Sequence, residues 1–218
     1  APSSFRVYVR DRSPLARFDT NAYVLPASAA GVPVATVNTK ELGLTLYRVN
    51  DRNLADVVRR GEFKRQLYAY EASQIAEERG AEVWAGKMAV EPVRNEEVRT
   101  LVPVREMIDA QAPGVYVLTA LPAELADRSG ALATQWFVIS DLGLSTFSSD
   151  GTVDVFARSL RSAAPTEGVA LTLVAANDEV LATAITDADG KARLVSRAPV
   201  DGSRAPALVT AEYGEGDY

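Results

Sequence analysis

The chain has 218 residues, of which 47% are hydrophobic and 24% charged, which is ordinary for one or two globular domains. Its net charge of −6 opposes binding to nucleic acid, because phosphate recognition needs concentrated positive charge. With no cysteine and no histidine, the chain has no disulfide, no thiolate nucleophile, no Cys-based metal site and no imidazole base.

Short segments of alternating hydrophobicity, separated by turn residues, run through the first part of the chain. Leu42, Leu44 and Leu46, for example, alternate with smaller or polar residues and would share one face of a strand. Prolines stand at the ends of these segments, where a missing N–H does least damage. The pattern predicts seven strands, at residues 5–10, 21–26, 41–49, 83–90, 97–104, 114–121 and 134–139.

Residues 53–79 interrupt this pattern, because they are rich in Ala, Glu, Arg, Leu and Gln and end at Gly80. Gly61 is expected to separate two helical pieces. We expect this helical insertion to lie on an edge or end of the first domain, since it is too long for a plain sandwich loop. The apolar stripe that predicts the helices consists of Phe63, Leu67, Tyr70 and Ile75.

The second half of the chain shows strand patterns and polar turns but no helix pattern. Closely spaced strands without crossover helices favour antiparallel sheets packed face to face. Six strands are one short of the seven that are usual for such a sandwich, so we expect the second domain to lack its last strand. The six are predicted at residues 142–147, 152–160, 169–175, 179–186, 191–196 and 207–213.

The fold class predicted is therefore all-β, with two tandem antiparallel sandwiches of the immunoglobulin or fibronectin type. The first domain would cover residues 1–139 and carry the helical insertion, and the second would cover residues 140–218. The boundary falls near residues 133–145, almost without a linker, so the two domains should have a restricted relative orientation.

The sequence contains no complete metal-binding motif. Residues 187–190, Asp-Ala-Asp-Gly, resemble the start of a calcium loop, but that loop needs a Glu six residues after its Gly. Ser196 stands there, so a hairpin turn is the favoured interpretation. The basic residues Arg59, Arg60, Lys64 and Arg65 are interspersed with glutamates, which is typical of a solvated helix face.

Candidates for catalysis and ligand binding are equally weak. Glu96 and Glu97 are adjacent and would face opposite ways in a strand, and Glu77 and Glu78 end a solvated helix. Trp84 and Trp136 are assigned to the core rather than to carbohydrate stacking. Tyr68 and Tyr70 are expected to dock the helical insertion. No lysine shows a feature that would lower its pKa, and the lysines considered are Lys40, Lys64, Lys87 and Lys191. We therefore predict no catalytic, cofactor-binding or metal-binding residue and no cofactor.

Several segments, in this order, resemble the upstream macroglobulin-like domains of bacterial alpha-2-macroglobulins. The resemblance extends over nearly the whole chain, from about residue 5 to residue 218. No single segment is diagnostic, but the ordered set is specific. The segments are LYRVNDRNL (46–54), PGVYVLTA (113–120), QWFVISDLGL (135–144), VFARSL (155–160) and TDADG (186–190).

The resemblance implies a part of a broad-spectrum protease trap, built from seven-stranded macroglobulin-like sandwiches and located in the periplasm or cell envelope. The family's thioester motif, Cys-x-Glu-Gln, cannot occur in a chain without cysteine, and no bait segment is recognised. The chain would then be a non-enzymatic scaffold. Its partners would be neighbouring domains of the same polypeptide and, through the full-length protein, target proteases, without membrane contact and as a monomer.

Two other interpretations remain open at this point. The chain could be an immunoglobulin-like spacer or adhesin module of another bacterial surface protein. It could also be a small independent enzyme, which the missing histidine and cysteine disfavour.

Overall fold

The computed structural model describes residues 10–19, 23–25, 29–50, 53–108, 113–125, 130–196 and 202–214. Antiparallel strands dominate these ranges, and the few helices are short. The strands are β1 (Leu15–Phe18), β2 (Val32–Val37), β3 (Glu41–Val49), β4 (Gly80–Ala89), β5 (Glu97–Val102), β6 (Gly114–Pro122), β7 (Ala133–Ile139), β8 (Leu142–Ser149), β9 (Thr152–Ser159), β10 (Ala170–Ala175), β11 (Val180–Ile185), β12 (Lys191–Val195) and β13 (Pro206–Glu212). The helices are α1 (Leu54–Arg59), α2 (Ala69–Gln74), a π-helix (Ile75–Arg79), α3 (Val104–Met107) and a 3₁₀-helix (Gly202–Arg204).

The first sandwich consists of a three-stranded sheet, ordered β1-β2-β5, and a four-stranded sheet, ordered β4-β3-β6-β7. The leucines of β3 predicted to share a face do so, and they are buried between the two sheets. Val34 of β2 and Val102 of β5 meet them from the opposite sheet. This core is the reason for the alternating pattern, because only one face of each of these strands turns inward.

Two strands of the first sandwich are not predicted by the sequence pattern. β1 has only four residues, and β2 carries Pro33 in a run that would otherwise be a strand. Pro33 lies opposite Leu101 of β5 but beyond the end of β1, which pairs with β2 only from Val34 onward. Of the predicted strand 21–26, the described part forms a bridge between Val24 and Val138. The predicted strand 5–10 lies outside the described residues apart from Arg10.

The second sandwich contains β8 to β13, at the six positions predicted. Its sheets are ordered β12-β9-β8 and β11-β10-β13, with three strands each. Val155 and Ala157 of β9 face Leu171 and Leu173 of β10 across the core. That this sandwich lacks its last strand stays a prediction, as does the domain boundary.

The helical insertion has the predicted two pieces, and Gly61 (φ +66°) separates them in the left-handed conformation that favours glycine. Its predicted position is wrong. It lies on the outer face of the four-stranded sheet rather than on an edge or end, because Tyr47 and Val117 present apolar side chains there that need covering. In the described part of the chain, no helix is long and apolar enough to cross a membrane.

Candidate functional site

The four-stranded sheet of the first sandwich is covered on both faces along its strand β6, which sets it apart from an ordinary sandwich sheet. Its inner face packs on the β1-β2-β5 sheet, and its outer face is covered by the helical insertion, residues 53–79, which we call the helical cover. Val57, Leu67 and Ile75 of the cover are fully buried there. Burying each such side chain contributes about 1.5–3 kcal/mol, so the cover is a stable layer of this domain.

Trp136 of β7 anchors the helical cover. Its ring is almost fully buried, and its indole N–H donates a hydrogen bond of 3.0 Å to the carbonyl oxygen of Arg65. Phe63 lies edge-on to this ring, with 5.5 Å between centroids, and Tyr23 follows at 6.3 Å from Phe63. The core assignment of Trp136 is confirmed. Trp84 is half-buried, and its ring lies over Gly86, at a distance that leaves no room for a side chain at residue 86.

Backbone and side-chain hydrogen bonds join the middle of the cover to β7. The Thr134 N–H donates to Gln66 Oε1 at 2.9 Å, and the Leu67 N–H donates to the Thr134 hydroxyl at 3.0 Å. The Leu132 N–H donates to the Leu67 carbonyl oxygen at 2.7 Å. The polar groups of an irregular buried segment are thereby satisfied, as buried backbone requires.

A buried ion pair closes the cover. Glu62, after α1, pairs with Arg79 at the end of the π-helix, and both side chains are about nine-tenths buried. Each charge depends on the other, because an unpaired charge in this position would carry a large desolvation cost. The pair fixes the two ends of the helical segment 62–79 relative to each other.

The outer face of the same sheet remains open at one end, next to α2. A groove of about 400 Å³ lies there, with a floor of small residues such as Gly43, Thr45 and Ala85. An ion pair of 2.8 Å between Lys87 and Glu41 stands at this end of the sheet. The shape suits packing of another polypeptide surface better than the enclosed binding of a small molecule.

The prediction that Tyr68 and Tyr70 dock the helical insertion is wrong. Tyr68 is 46% and Tyr70 is 64% exposed, and the two rings stack on each other with centroids 6.1 Å apart. Both lie at the start of α2, where the Tyr68 N–H donates to Glu71 Oε2 at 2.8 Å and so caps the helix. Leu67 and Ala72 supply the buried contacts instead.

Residues 187–190 form a tight turn, but the predicted hairpin is wrong, because the strands that the turn joins, β11 and β12, lie in different sheets and do not pair. Asp187 Oδ1 accepts hydrogen bonds from the N–H groups of Asp189, at 3.0 Å, and Lys191, at 2.9 Å. Gly190 (φ +70°) completes the turn between β11 and β12. The Asp187 carboxylate is thus used within its own turn. Among the described residues, no group of three acidic, histidine or cysteine side chains could hold a metal ion.

Several of the other titratable groups considered above hold structural ion pairs or cation–π contacts. Glu97 pairs with Arg17 at 2.6 Å, and the Lys64 ammonium lies 4.2 Å from the centre of the Tyr23 ring. The hydrogen bond to Glu41 raises the pKa of Lys87, which is the opposite of what a nucleophilic lysine needs.

Only Ser140 and Asp141 separate β7 from β8, so the two sandwiches are joined by a very short link. Asp141 is held by the second sandwich, because its carboxylate accepts hydrogen bonds from the Ser159 hydroxyl, at 2.8 Å, and the Arg161 N–H, at 3.1 Å. The Leu142 N–H donates to the Ser140 hydroxyl at 2.8 Å. Both linking residues are therefore ordered by local hydrogen bonds.

Two tandem β-sandwiches, the first with a helical layer on its outer face, define this chain as a pair of macroglobulin-type domains. Family models match it as the bacterial alpha-2-macroglobulin MG2 domain at residues 17–127 and the bacterial alpha-2-macroglobulin MG3 domain at residues 139–218. The chain belongs to the bacterial alpha-2-macroglobulins. It is a region of macroglobulin domains and not an enzyme.

Curated relatives agree with this assignment. The chain is 25% identical over 189 residues to alpha-2-macroglobulin of Escherichia coli K12, which aligns with 86% of this chain and 11% of that protein. It is 28% identical over 200 residues to alpha-2-macroglobulin of Xylella fastidiosa 9a5c, covering 88% of this chain and 12% of that protein. The chain thus spans only about an eighth of the length of these relatives.

Solved structures show the same fold. The structure of native alpha-2-macroglobulin from Escherichia coli spanning domains NIE-MG1 has a TM-score of 0.76 and 23% identity, covering 95% of this chain and 96% of that one. A Salmonella alpha-2-macroglobulin mutant has a TM-score of 0.67 and 26% identity, and the match covers 96% of this chain and 12% of that one. Trypsin-activated alpha-2-macroglobulin from Escherichia coli has a TM-score of 0.70 and 23% identity, and the match covers 91% of this chain and 14% of that one.

Proposed function

We propose that the chain is the scaffold segment of a bacterial alpha-2-macroglobulin that traps attacking proteases, in which it spaces and orients the reactive parts. The tandem match of two macroglobulin domain models carries this proposal. The trypsin-activated relative supports a protease as the target of the parent protein. The parent would lie in the periplasm or cell envelope and act as a monomer.

The scaffold role fits the way the segment is built. Each sandwich buries its own apolar core, and the link between them has two residues. A rearrangement of the parent after cleavage elsewhere would therefore change contacts between domains rather than the domain cores, because surfaces re-pack at lower cost than close-packed interiors. The spacer or adhesin interpretation has no specific observation in its favour.

The proposal is tested with the parent polypeptide. We expect it to block cleavage of a large protein substrate by trypsin while leaving cleavage of a small peptide substrate largely intact, as physical entrapment requires. Replacing this segment by two unrelated sandwiches of similar size should abolish the block. Full inhibition by the parent with the segment replaced would contradict the scaffold role.

A further inference from the structure

Within the described residues, the strand β8 has a pairing partner on one side only, and its other hydrogen-bonding edge is open. It stands at the end of the β12-β9-β8 sheet and pairs with β9 over its whole length, from Leu142↔Ser159 to Ser149↔Thr152, without a register shift. Its sequence, LGLSTFSS, contains no charged residue and no proline. Natural proteins usually protect such edges with charges, prolines, bulges or short strands, because an open edge is a template for pairing.

Other edge strands of the described ranges carry these protections. β1 has four residues and includes Arg17, and β5 carries Glu97 and Arg99. β4 and β13 contain charged residues, and their pairing with the neighbouring strand has a register shift. β12 carries Lys191 and Arg193. β11 is uncharged, but its pairing with β10 also has a register shift. The edge of β7 is occupied, because Val138 exchanges backbone hydrogen bonds with Tyr23 and Leu25. β8 thus combines length, neutrality and regular pairing in a way that these strands do not.

Apolar side chains on both faces of β8 reach the solvent. Phe147, on the outer face, is 65% exposed and lies edge-on to Phe156 of β9, with 5.8 Å between ring centroids. Leu144, on the inner face, is 37% exposed. A strand added beside β8 would cover part of both residues, and aromatic side chains next to a free edge are favourable cross-strand partners.

We propose that β8 pairs with an edge strand of another sandwich module of the same polypeptide, extending the β12-β9-β8 sheet across a domain contact. This inference rests on the proposed function, since it needs a longer parent chain. The partner strand would be uncharged at its centre, because β8 offers main-chain hydrogen bonds and apolar contacts but no charge to pair with.

The length of the relatives and the charge of this chain decide between a tethered module and a second copy. The curated relatives are roughly eight times longer than the matched region, so further modules on the same chain would be present at millimolar effective concentration. Two separate copies would each carry a net charge of −6, which opposes their association. A weak edge contact would then form within one polypeptide and not between free copies.

Hydrogen exchange measured by mass spectrometry tests the proposal on the 218-residue chain and on its parent polypeptide. The β8 amides that point away from β9 should exchange at least tenfold more slowly in the parent. Ser145→Lys places a charge on the open edge and should abolish this slowing. Thr172→Lys, on the central strand β10, is the matched control and should leave it unchanged.

Equal exchange of the β8 amides in both proteins would overturn the proposal, and so would the same slowing in a chain extended only by the last strand expected for this sandwich. If exchange of the β8 amides in the isolated chain became slower as the concentration of that chain was raised, the partner would be a second copy, and the proposal would also be overturned. Protease inhibition by the same parent sample is recorded separately. If the parent inhibits the protease but its β8 amides do not exchange more slowly, only the edge contact is refuted. If a folded parent does not inhibit the protease, the proposed function is refuted.

Discussion

Gly80 lies where the π-helix passes into β4, directly beside β3. A Cβ at this position would lie 2.1 Å from the carbonyl oxygen of Arg48, an atom of the backbone that cannot rotate away. We expect Gly80→Ala to lower the free energy of unfolding by about 2–3 kcal/mol, because the backbone must shift. Gly43→Ala, whose Cβ would be 3.7 Å from its nearest neighbour, is the control and should cost nothing in urea unfolding.

The buried pair of Glu62 and Arg79 supplies a second test at the residue scale. Glu62→Gln leaves the Arg79 charge buried without a counter-charge and should cost about 3 kcal/mol in denaturant unfolding. Arg60→Gln breaks the exposed ion pair with Asp56 in the same cover and should cost less than about 1 kcal/mol. Equal losses for the two variants would show that burial does not determine the strength of the pair.

Glu124 gives the fold a pH dependence. Burial opposes its ionisation, but hydrogen bonds from the Thr39 hydroxyl and the Lys40 N–H outweigh that effect and hold the pKa of Glu124 below its ordinary value. The ionised form is therefore favoured in the folded state, and this stabilisation is present above about pH 4.5 and lost as the pH falls through the lowered pKa. Glu124→Gln should be less stable than the wild type at pH 7, and the difference should vanish once the pH lies well below the lowered pKa of Glu124. A difference that is independent of pH would exclude this role.

Among the structural elements, the helical cover is the most informative. Leu67 is fully buried against the sheet, so Leu67→Ala should lower the free energy of unfolding by about 2–5 kcal/mol. Tyr70→Ala, on the exposed side of the same segment, should change it by less than about 0.5 kcal/mol. A loss at Tyr70 as large as that at Leu67 would mean that the exposed tyrosines are covered in solution.

Most strands could be predicted from sequence, and the two that could not, β1 and β2, are very short or interrupted by proline. β3 alternates because one of its faces is lined by leucines, and β9 does so because Val153, Val155 and Ala157 all point inward. β1 has only four residues, too few to show an alternating pattern. Pro33 hides β2, because a proline within an apolar run argues against a strand, although β1 pairs with β2 from the next residue onward. Local pattern therefore finds a strand that is long and uninterrupted, whether its burial is one-sided, as in β9, or two-sided, as in β6.

The position of the helical cover could not be predicted from its own residues. The relevant signal was in β6, whose residues 114–120 are all buried, since an uninterrupted apolar strand is expected where both faces of a sheet are covered. The wrong prediction for Tyr68 and Tyr70 has the same cause, because a helical stripe identifies apolar residues without showing which of them contact a sheet. The absence of histidine and cysteine, by contrast, excluded most catalytic chemistry from composition alone.

At the scale of the whole molecule, the chain is two self-contained β cores on a two-residue link. Many charges of the described residues are used in ion pairs and turns, and the edge of β8 is the surface that we propose for a contact with another module. Such a segment can transmit the position of one module to the next, while the reaction with a protease would take place elsewhere in the parent.

The most direct measurement incubates the isolated 218-residue chain with trypsin in increasing molar ratio, followed by activity on a large protein substrate and by denaturing mass spectrometry. The account predicts full trypsin activity at every ratio and no covalent adduct, because a scaffold without a reactive group has no means of holding the protease. Inhibition that saturates at one chain per trypsin, or an adduct that survives denaturation, would contradict it.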